Sequence, residues 1–452
     1  MFREKRTFFG IAINDLLIAA AIAAVGFLTS YRGAYWNESE YTGIANGVWF
    51  EADSARVFHS ETGQSKGNDR TAMHPLYPYV TRPGVWLIGK ILNGRDVHVA
   101  VRFFHSAVAA LWIGLFFLLL RRFTVRRWDA ALFTAVLGTT AAAFFWLPVI
   151  ETFVLGGLSM YPALALAAGS EPGNLAQHVA AGVASLGVTV TNVMASIFSS
   201  YVKLPRRKFV TAVGFAALLV IALTFVHQLA FPSRAAAPQG PSAEWSSVLA
   251  PESSGGMGVL RAFLFNSVVA PEFTFKFNFQ SGQFPFLSFQ ASRLFSGGWA
   301  SRIATVAWAG LLGFGVVALI REKSLGPLRP MITLVVLYQL LLHACYGRET
   351  FLYSAQFVPF LVAIAALATR SRQRPLVLAL AALLTVTNLI NSHDQYVWAK
   401  QYLHRSIPLK AMSREGKLIQ TLPKRNSDDS WNFRIWKELG IGRDTGSPSS
   451  RS

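Results

Sequence analysis

Apolar residues in this chain come in long blocks, and the polar residues between them are mostly short and basic. A helix needs about 20 residues to cross a hydrocarbon core. Blocks near that length lie at residues 10–30, 99–120, 129–147, 152–168, 209–231, 300–320, 331–346, 353–368 and 376–391. Two shorter ones, 177–191 and 193–204, flank the sequence "TVTN" and suit either a broken pair or one long helix plus an amphipathic piece. The pattern predicts an all-α polytopic membrane protein with about eleven transmembrane helices.

The stretch from His74 to Leu92, "HPLYPYVTRPGVWLIGKIL", is half apolar but carries Pro75, Pro78, Arg82, Pro83 and Lys90. It reads as an interfacial or re-entrant element, because irregular backbone at that depth must lie against protein or water. Residues 272–289, "EFTFKFNFQSGQFPFLSF", alternate aromatic and polar positions and suit a short strand or an interfacial segment. The domain organisation expected is a membrane domain at 1–393 and an extracytoplasmic tail at 394–452, its end disordered. Two large extracytoplasmic loops, 31–98 and 232–299, lie within the membrane domain. Residues 233–258, rich in Ala, Pro, Ser and Gly, read as flexible.

Charge sets the orientation. Only 14% of residues are charged, against about 25% in soluble domains. The net charge of +19 would suit a nucleic-acid partner, but its placement excludes one. Cations cluster in five short connections: Arg3/Lys5/Arg6, "RRFTVRR" at 121–127, "KLPRRK" at 203–208, Arg321/Lys323 and Arg370/Arg372/Arg374. Under the span count all five fall on one side, the pattern of cytoplasmic turns. The basic start and apolar run at the N-terminus have no small-residue cleavage motif after them, so they read as a retained first helix. The single cysteine, Cys345, cannot form an internal disulfide and says nothing about redox compartment. No internal repeat is evident, which weighs against an inverted-repeat transporter.

Ionisable residues at a membrane face are costly unless paired, hydrated or used. Three groups collect on the side opposite the basic turns. The first loop holds Glu51, Asp53 and Arg56, with His59 and His74. "LPVIETFVLGGL" places Glu151 between two spans. "GRETFLYSAQFVPFL" puts Arg348, Glu349 and Tyr353 ahead of another. Carboxylates beside cations suit a reaction on an anionic, lipid-linked substrate: a carboxylate takes a proton from an acceptor hydroxyl and an arginine holds a leaving phosphate. Each residue also has a plain structural reading. Asp53 suits an N-cap, Glu151 a helix N-terminus, Glu51 a solvated face, and His74 before Pro75 a structural ring. Arg348 and Glu349 suit an interfacial ion pair, and Arg102 a snorkelling side chain. His59 and His74 lack the spacing of a metal site, so neither metal nor cofactor is expected.

Asp53 in the first loop, then "HPLYPYV", then "VAVRFFHSAVAALW" with Arg102, then the basic turn "RRFTVRR" form a recognisable series. With "PVIETFVLGG" and "GRETFLYSAQFVPFL" further on, it resembles the polyprenol-phosphate-sugar-dependent glycosyltransferases of the GT-C superfamily, such as protein O-mannosyltransferases and the lipid A aminoarabinose transferase. The resemblance covers roughly residues 1–391 in layout. The family's paired "DE" is absent: Ser54 follows Asp53, and Glu51 lies two residues before it. The resemblance implies a glycosyltransferase of the bacterial cytoplasmic membrane with its site on the outer face. Its partners would be a polyprenyl-phosphate-linked sugar, the bilayer and a glycan, lipid or protein acceptor. Asp53 would be the general base, with Glu51 the second choice. Arg348 and Arg102 would bind the donor phosphate, Glu151 and His74 would shape the acceptor side, and Glu349 and Tyr353 would belong to the late binding turn. Two other classes stay open: a transporter or flippase of lipid-linked sugars, and a non-catalytic membrane component of envelope assembly.

Overall fold

A computed structural model describes residues 7–8, 11–36, 48–63, 73–94, 96–230, 256–278, 283–347 and 349–414. Among them are seven helices long and apolar enough to cross a membrane. They are α1 (Ile13–Trp36), α4 (Val97–Arg122), α11 (Arg206–Ala230), α13 (Trp299–Arg321), α14 (Leu328–Cys345), α15 (Ser354–Leu367 with 3-10 turns at both ends) and α16 (Arg374–Arg414). The architecture is that of an all-α membrane protein. The last helix runs well past residue 393, where the sequence pattern placed the start of the tail.

The other expected spans are shorter or interrupted. Residues 129–147 form α5 (Arg127–Thr139) and α6 (Ala141–Trp146), broken where the Thr140 side chain caps the second piece. Residues 152–168 form α7 (Thr152–Ser159) and α8 (Tyr161–Ala168), with Pro162 opening the latter. The "TVTN" region is a 3-10 turn between α9 (Leu175–Val188) and α10 (Val193–Lys203), which makes these a pair of short helices.

Contacts between the basic turns bring four of the five to one end of the bundle. Asp15 at the start of α1 accepts from Arg121 Nε at 3.0 Å and Arg127 Nε at 2.5 Å. Arg374 donates twice to Asp129, at 2.8 and 2.7 Å. Arg370 reaches Ser324 Oγ, Arg122 reaches Ala165 O, and Lys203 reaches Gly169 O. Arg3, Lys5 and Arg6 lie outside the described residues.

Small residues let helices touch along the bundle. On α1 and α4 a Cβ on Gly114 would fall 2.9 Å from Ala23 Cβ, and one on Gly26 would fall 2.7 Å from Ile113. Such stripes are how membrane helices approach closely, since burying apolar surface from lipid gains little.

The first loop folds over the far end. It contains α2 (Ser54–Thr62) and α3 (Tyr77–Ile91). The 15-residue α3 spans about 22 Å and holds Pro83, so it is not a crossing helix. It leaves Trp86, Leu87 and Ile91 exposed, as a helix lying at an interface would. In the second large loop, α12 (Gly256–Arg261) and the π-type turn Ala262–Asn266 enter the bundle instead of staying outside it. Their irregular backbone is satisfied by protein. Ala141 N and Ala142 N donate to Val268 O and Ser267 O, Asn388 and Asn391 donate to Val268 O and Ala270 O, and Trp308 donates to Leu264 O. A two-stranded antiparallel hairpin follows, β1 (Thr274–Asn278) and β2 (Gln283–Ser288), with Thr274 opposite Ser288.

Candidate functional site

The site begins with a strained turn. Phe50 and Glu51 have φ of 50° and 61°, the left-handed region that non-glycine residues rarely enter. Each such residue costs on the order of 1–3 kcal/mol. The turn is held by its surroundings. Trp49 Nε1 donates to Phe145 O at 3.1 Å, and Leu287 N donates to Val48 O at 2.9 Å. The fully buried Phe50 ring lies 4.7 Å from Phe351, 4.9 Å from Phe289 and 5.4 Å from Phe145. Aromatic pairs of this kind contribute about 0.5–1.5 kcal/mol each beyond their buried area, enough to offset much of the strain. The result aims residues 51–53 at the neighbouring helix ends.

Asp53 occupies the N-cap position of α2, yet its side chain makes no capping bond. Its carboxylate instead accepts from Arg56 Nε at 2.5 Å. Its backbone N–H donates to Glu151 Oε1. Glu151 is itself the N-cap of α7, with Oε2 accepting from Thr152 N at 2.9 Å. This carboxylate is only 2% exposed. Burial pushes its pKa above the ordinary 4.5; the Asp53 charge pushes the same way, while Arg56 and the two backbone donors pull it down. One buried carboxylate therefore ties the first loop to the start of α7.

His74 comes from the segment before α3, which runs beside the end of α9: Leu76 N donates to Gly187 O, and Val190 N to Met73 O. His74 Nδ1 lies 2.8 Å from Val188 O. A carbonyl only accepts, so Nδ1 carries the proton and the ring is fixed in one orientation. On the other side, α7 meets α15 with almost no gap, since a Cβ on Gly157 would fall 2.3 Å from Ala355 O. That approach carries Gln356 to the site beside Tyr353, whose ring packs 5.4 Å from Phe153.

Glu51, Asp53, His74, Glu151 and Tyr353 thus line one cavity of about 160 Å³, at the end of the bundle opposite the basic turns. Sequence reasoning missed six further polar lining residues, Thr152, Thr189, Thr191, His343, Tyr346 and Gln356. Arg56, read from the sequence only as one of the loop charges, lines it too and positions Asp53. Two expected residues are elsewhere. Glu349 is fully buried and accepts from Ser288 Oγ and Phe289 N, joining the late turn to β2. Arg102 is 6% exposed on α4, its guanidinium 5.7 Å from the centre of the Tyr31 ring. Neither lines the cavity. Arg348 lies outside the described residues. Among the described residues no group of three or more His, Cys, Asp or Glu is arranged to hold a metal.

A second, larger cavity of about 640 Å³ runs among α1, α4, α5, α6 and α16. It follows α1 from Ala21 to Gly33, a rise of about 18 Å, and its walls are mostly apolar, with Thr29, Ser30, Arg32 and His393 toward one end. It ends at Gly33, Pro148 and Tyr396, in the same turn that leads to Glu151. Compared with known proteins, the chain matches no protein family, no curated protein and no solved structure.

Proposed function

We propose that this protein is an integral membrane glycosyltransferase that moves a sugar from a polyprenyl-phosphate donor to an extracytoplasmic acceptor. The observation that carries the reading is the convergence of Asp53, Arg56, Glu151 and His74, from three separate segments, in one recess at the end of the bundle away from the basic turns. By the positive-inside rule that end is the outer face. About eleven crossings are counted when the short and broken helices are included, in a GT-C-like arrangement in the bacterial cytoplasmic membrane.

In this scheme Asp53 takes the proton of the acceptor hydroxyl as that oxygen bonds to the anomeric carbon. The bond from that carbon to the phosphate oxygen breaks, and polyprenyl phosphate leaves. Arg56 orients the base, and Arg56 with Arg348 balances the leaving phosphate. Glu151, by gripping the Asp53 backbone N–H, positions the base rather than reacting. The apolar 640 Å³ cavity suits the lipid chain of such a donor, since its upper end shares the turn that carries Glu151.

The test uses purified protein in liposomes, radiolabelled polyprenyl-phosphate sugars as donors and a detergent extract of the native membrane as acceptor. Label should move from the carrier to a product of different polarity. Movement of intact carrier across the bilayer with no transfer would replace the reading by a transporter.

A further inference from the structure

The cavity has a second wall of different chemistry. His343 sits two residues before the C-terminus of α14 and is 2% exposed. Its ring stacks on Tyr353 at 4.9 Å with 27° between planes, and Phe357 and Phe263 lie at 5.6 and 6.3 Å. Among the described residues, neither Nδ1 nor Nε2 of His343 has a hydrogen-bond partner. Buried polar groups are nearly always paired, so two unpaired nitrogens on one ring call for an explanation. The same ring lines the cavity that holds Asp53 and Glu151.

Ligand recognition supplies that explanation. The wall from the first loop and α7 is charged, with Glu51, Asp53, Arg56 and Glu151. The wall from α14 and α15 is uncharged at Tyr353 and Gln356 and backed by aromatic rings. In its uncharged form an imidazole presents one donor and one acceptor, and the Gln356 amide presents both as well. Sugar hydroxyls also donate and accept, and their ring C–H faces pack on aromatic surfaces. A phosphate oxygen only accepts, so it would match just one of the two imidazole nitrogens. A phosphate therefore fits the Arg56 side, and a polyhydroxylated ring fits the His343 side.

We infer that His343, with Gln356 and the Tyr353 ring, forms the subsite that grips the hydroxyl groups of the transferred sugar and so selects it. This rests on the glycosyl-transfer reading and adds which wall reads the sugar.

The experiment is a binding titration of the full chain in nanodiscs. The probes are farnesyl phosphate, farnesyl phosphate mannoside and farnesyl phosphate arabinoside. Wild type should bind at least one glycosylated carrier about tenfold more tightly than the sugar-free phosphate, as two added hydrogen bonds allow. His343→Phe keeps an aromatic ring against Tyr353 and removes both nitrogens. It should bring that ratio close to one while leaving farnesyl phosphate binding unchanged. Gln356→Met should lower the ratio in the same way, and it decides the matter if His343→Phe does not fold. An unchanged ratio in the folded variants, or an equal loss for all three probes, would overturn the sugar subsite and leave glycosyl transfer standing. If wild type binds none of the probes, the transfer reading falls and the subsite with it.

Discussion

Asp53→Asn separates chemistry from folding better than any other change at this site. Asparagine keeps the volume of the side chain and the backbone N–H that donates to Glu151. What it removes is the charge, and with it the pairing to Arg56. That pair is partly exposed, at 17% for Arg56 and 29% for Asp53, so solvent screens it and its loss costs less than about 1 kcal/mol of stability. No capping bond is lost, because the Asp53 side chain makes none. The catalytic loss is of another size. A general base contributes about 10²- to 10⁴-fold, equivalent to about 2.7–5.4 kcal/mol of barrier. Transfer by Asp53→Asn should therefore fall by two to four orders of magnitude while the melting curve stays near that of wild type. Glu51→Gln, in the same assay, should lose much less. If Asp53→Asn keeps most of its activity while Glu51→Gln abolishes transfer, the base is Glu51. If both remain active, the first loop is a structural lid and the mechanism above is wrong.

Glu151→Ala leaves the buried backbone N–H donors of Asp53 and Thr152 without their acceptor, so the unfolding free energy should drop by about 1–3 kcal/mol. The Glu151 carboxyl has a raised pKa in the folded protein, so its contribution is fully present below the ordinary 4.5 and is lost as pH rises through the raised value; melting curves from pH 4 upward should show wild type losing stability relative to Glu151→Gln over that window. Arg348→Ala should weaken binding of farnesyl phosphate more than Arg348→Lys does, because lysine keeps the charge and loses only the bidentate fork; equal affinity in wild type and Arg348→Ala would remove it as a phosphate ligand. With Cys345 replaced, a cysteine at Ser253 should react with an impermeant maleimide in intact cells and one at Thr124 only after permeabilisation; the reverse would invert the topology.

Much of the bundle was legible because its signals are strong and local. Apolar blocks marked the long helices, and the basic turns that the sequence groups together are joined in space by Asp15, Asp129 and Ser324. The meeting of Asp53, His74 and Glu151 was legible because the first loop and the junction before residue 152 fall on the same predicted side. His343 and Gln356 were not. They sit inside apolar stretches where a polar side chain reads as tolerated, and only burial together with contacts from other helices places them at the cavity. The partners of Glu349 were not legible either. Its sequence neighbours resemble those of a binding residue, but Ser288 and Phe289, some sixty residues upstream, take its carboxylate. Arg102 depends on helix rotation: its position on α4 turns it toward Tyr31 of α1.

The lengths of the short helices explain why the site lies where it does. From the basic end, α9 with 14 residues rises about 21 Å, and α8 with α7 rises about 25 Å, whereas α4 with 26 residues rises about 39 Å. A hydrocarbon core is about 30 Å thick. Thr189 at the top of α9 and Glu151 at the top of α7 therefore end helical stretches shorter than that thickness, whereas α4 exceeds it. The cavity lies between these helix ends and the first-loop residues Glu51, Asp53, Arg56, Met73 and His74. Polar groups are tolerated there because they are satisfied by one another, as Glu151 is by Asp53 and Thr152, and His74 by Val188. On the proposed reading, a lipid-linked headgroup enters this recess sideways while its chain stays among α1, α5 and α16. Extending α9 by a full turn before Thr189 would fill the recess and lift His74 away from Asp53; that change should abolish carrier binding even though every proposed catalytic residue is retained.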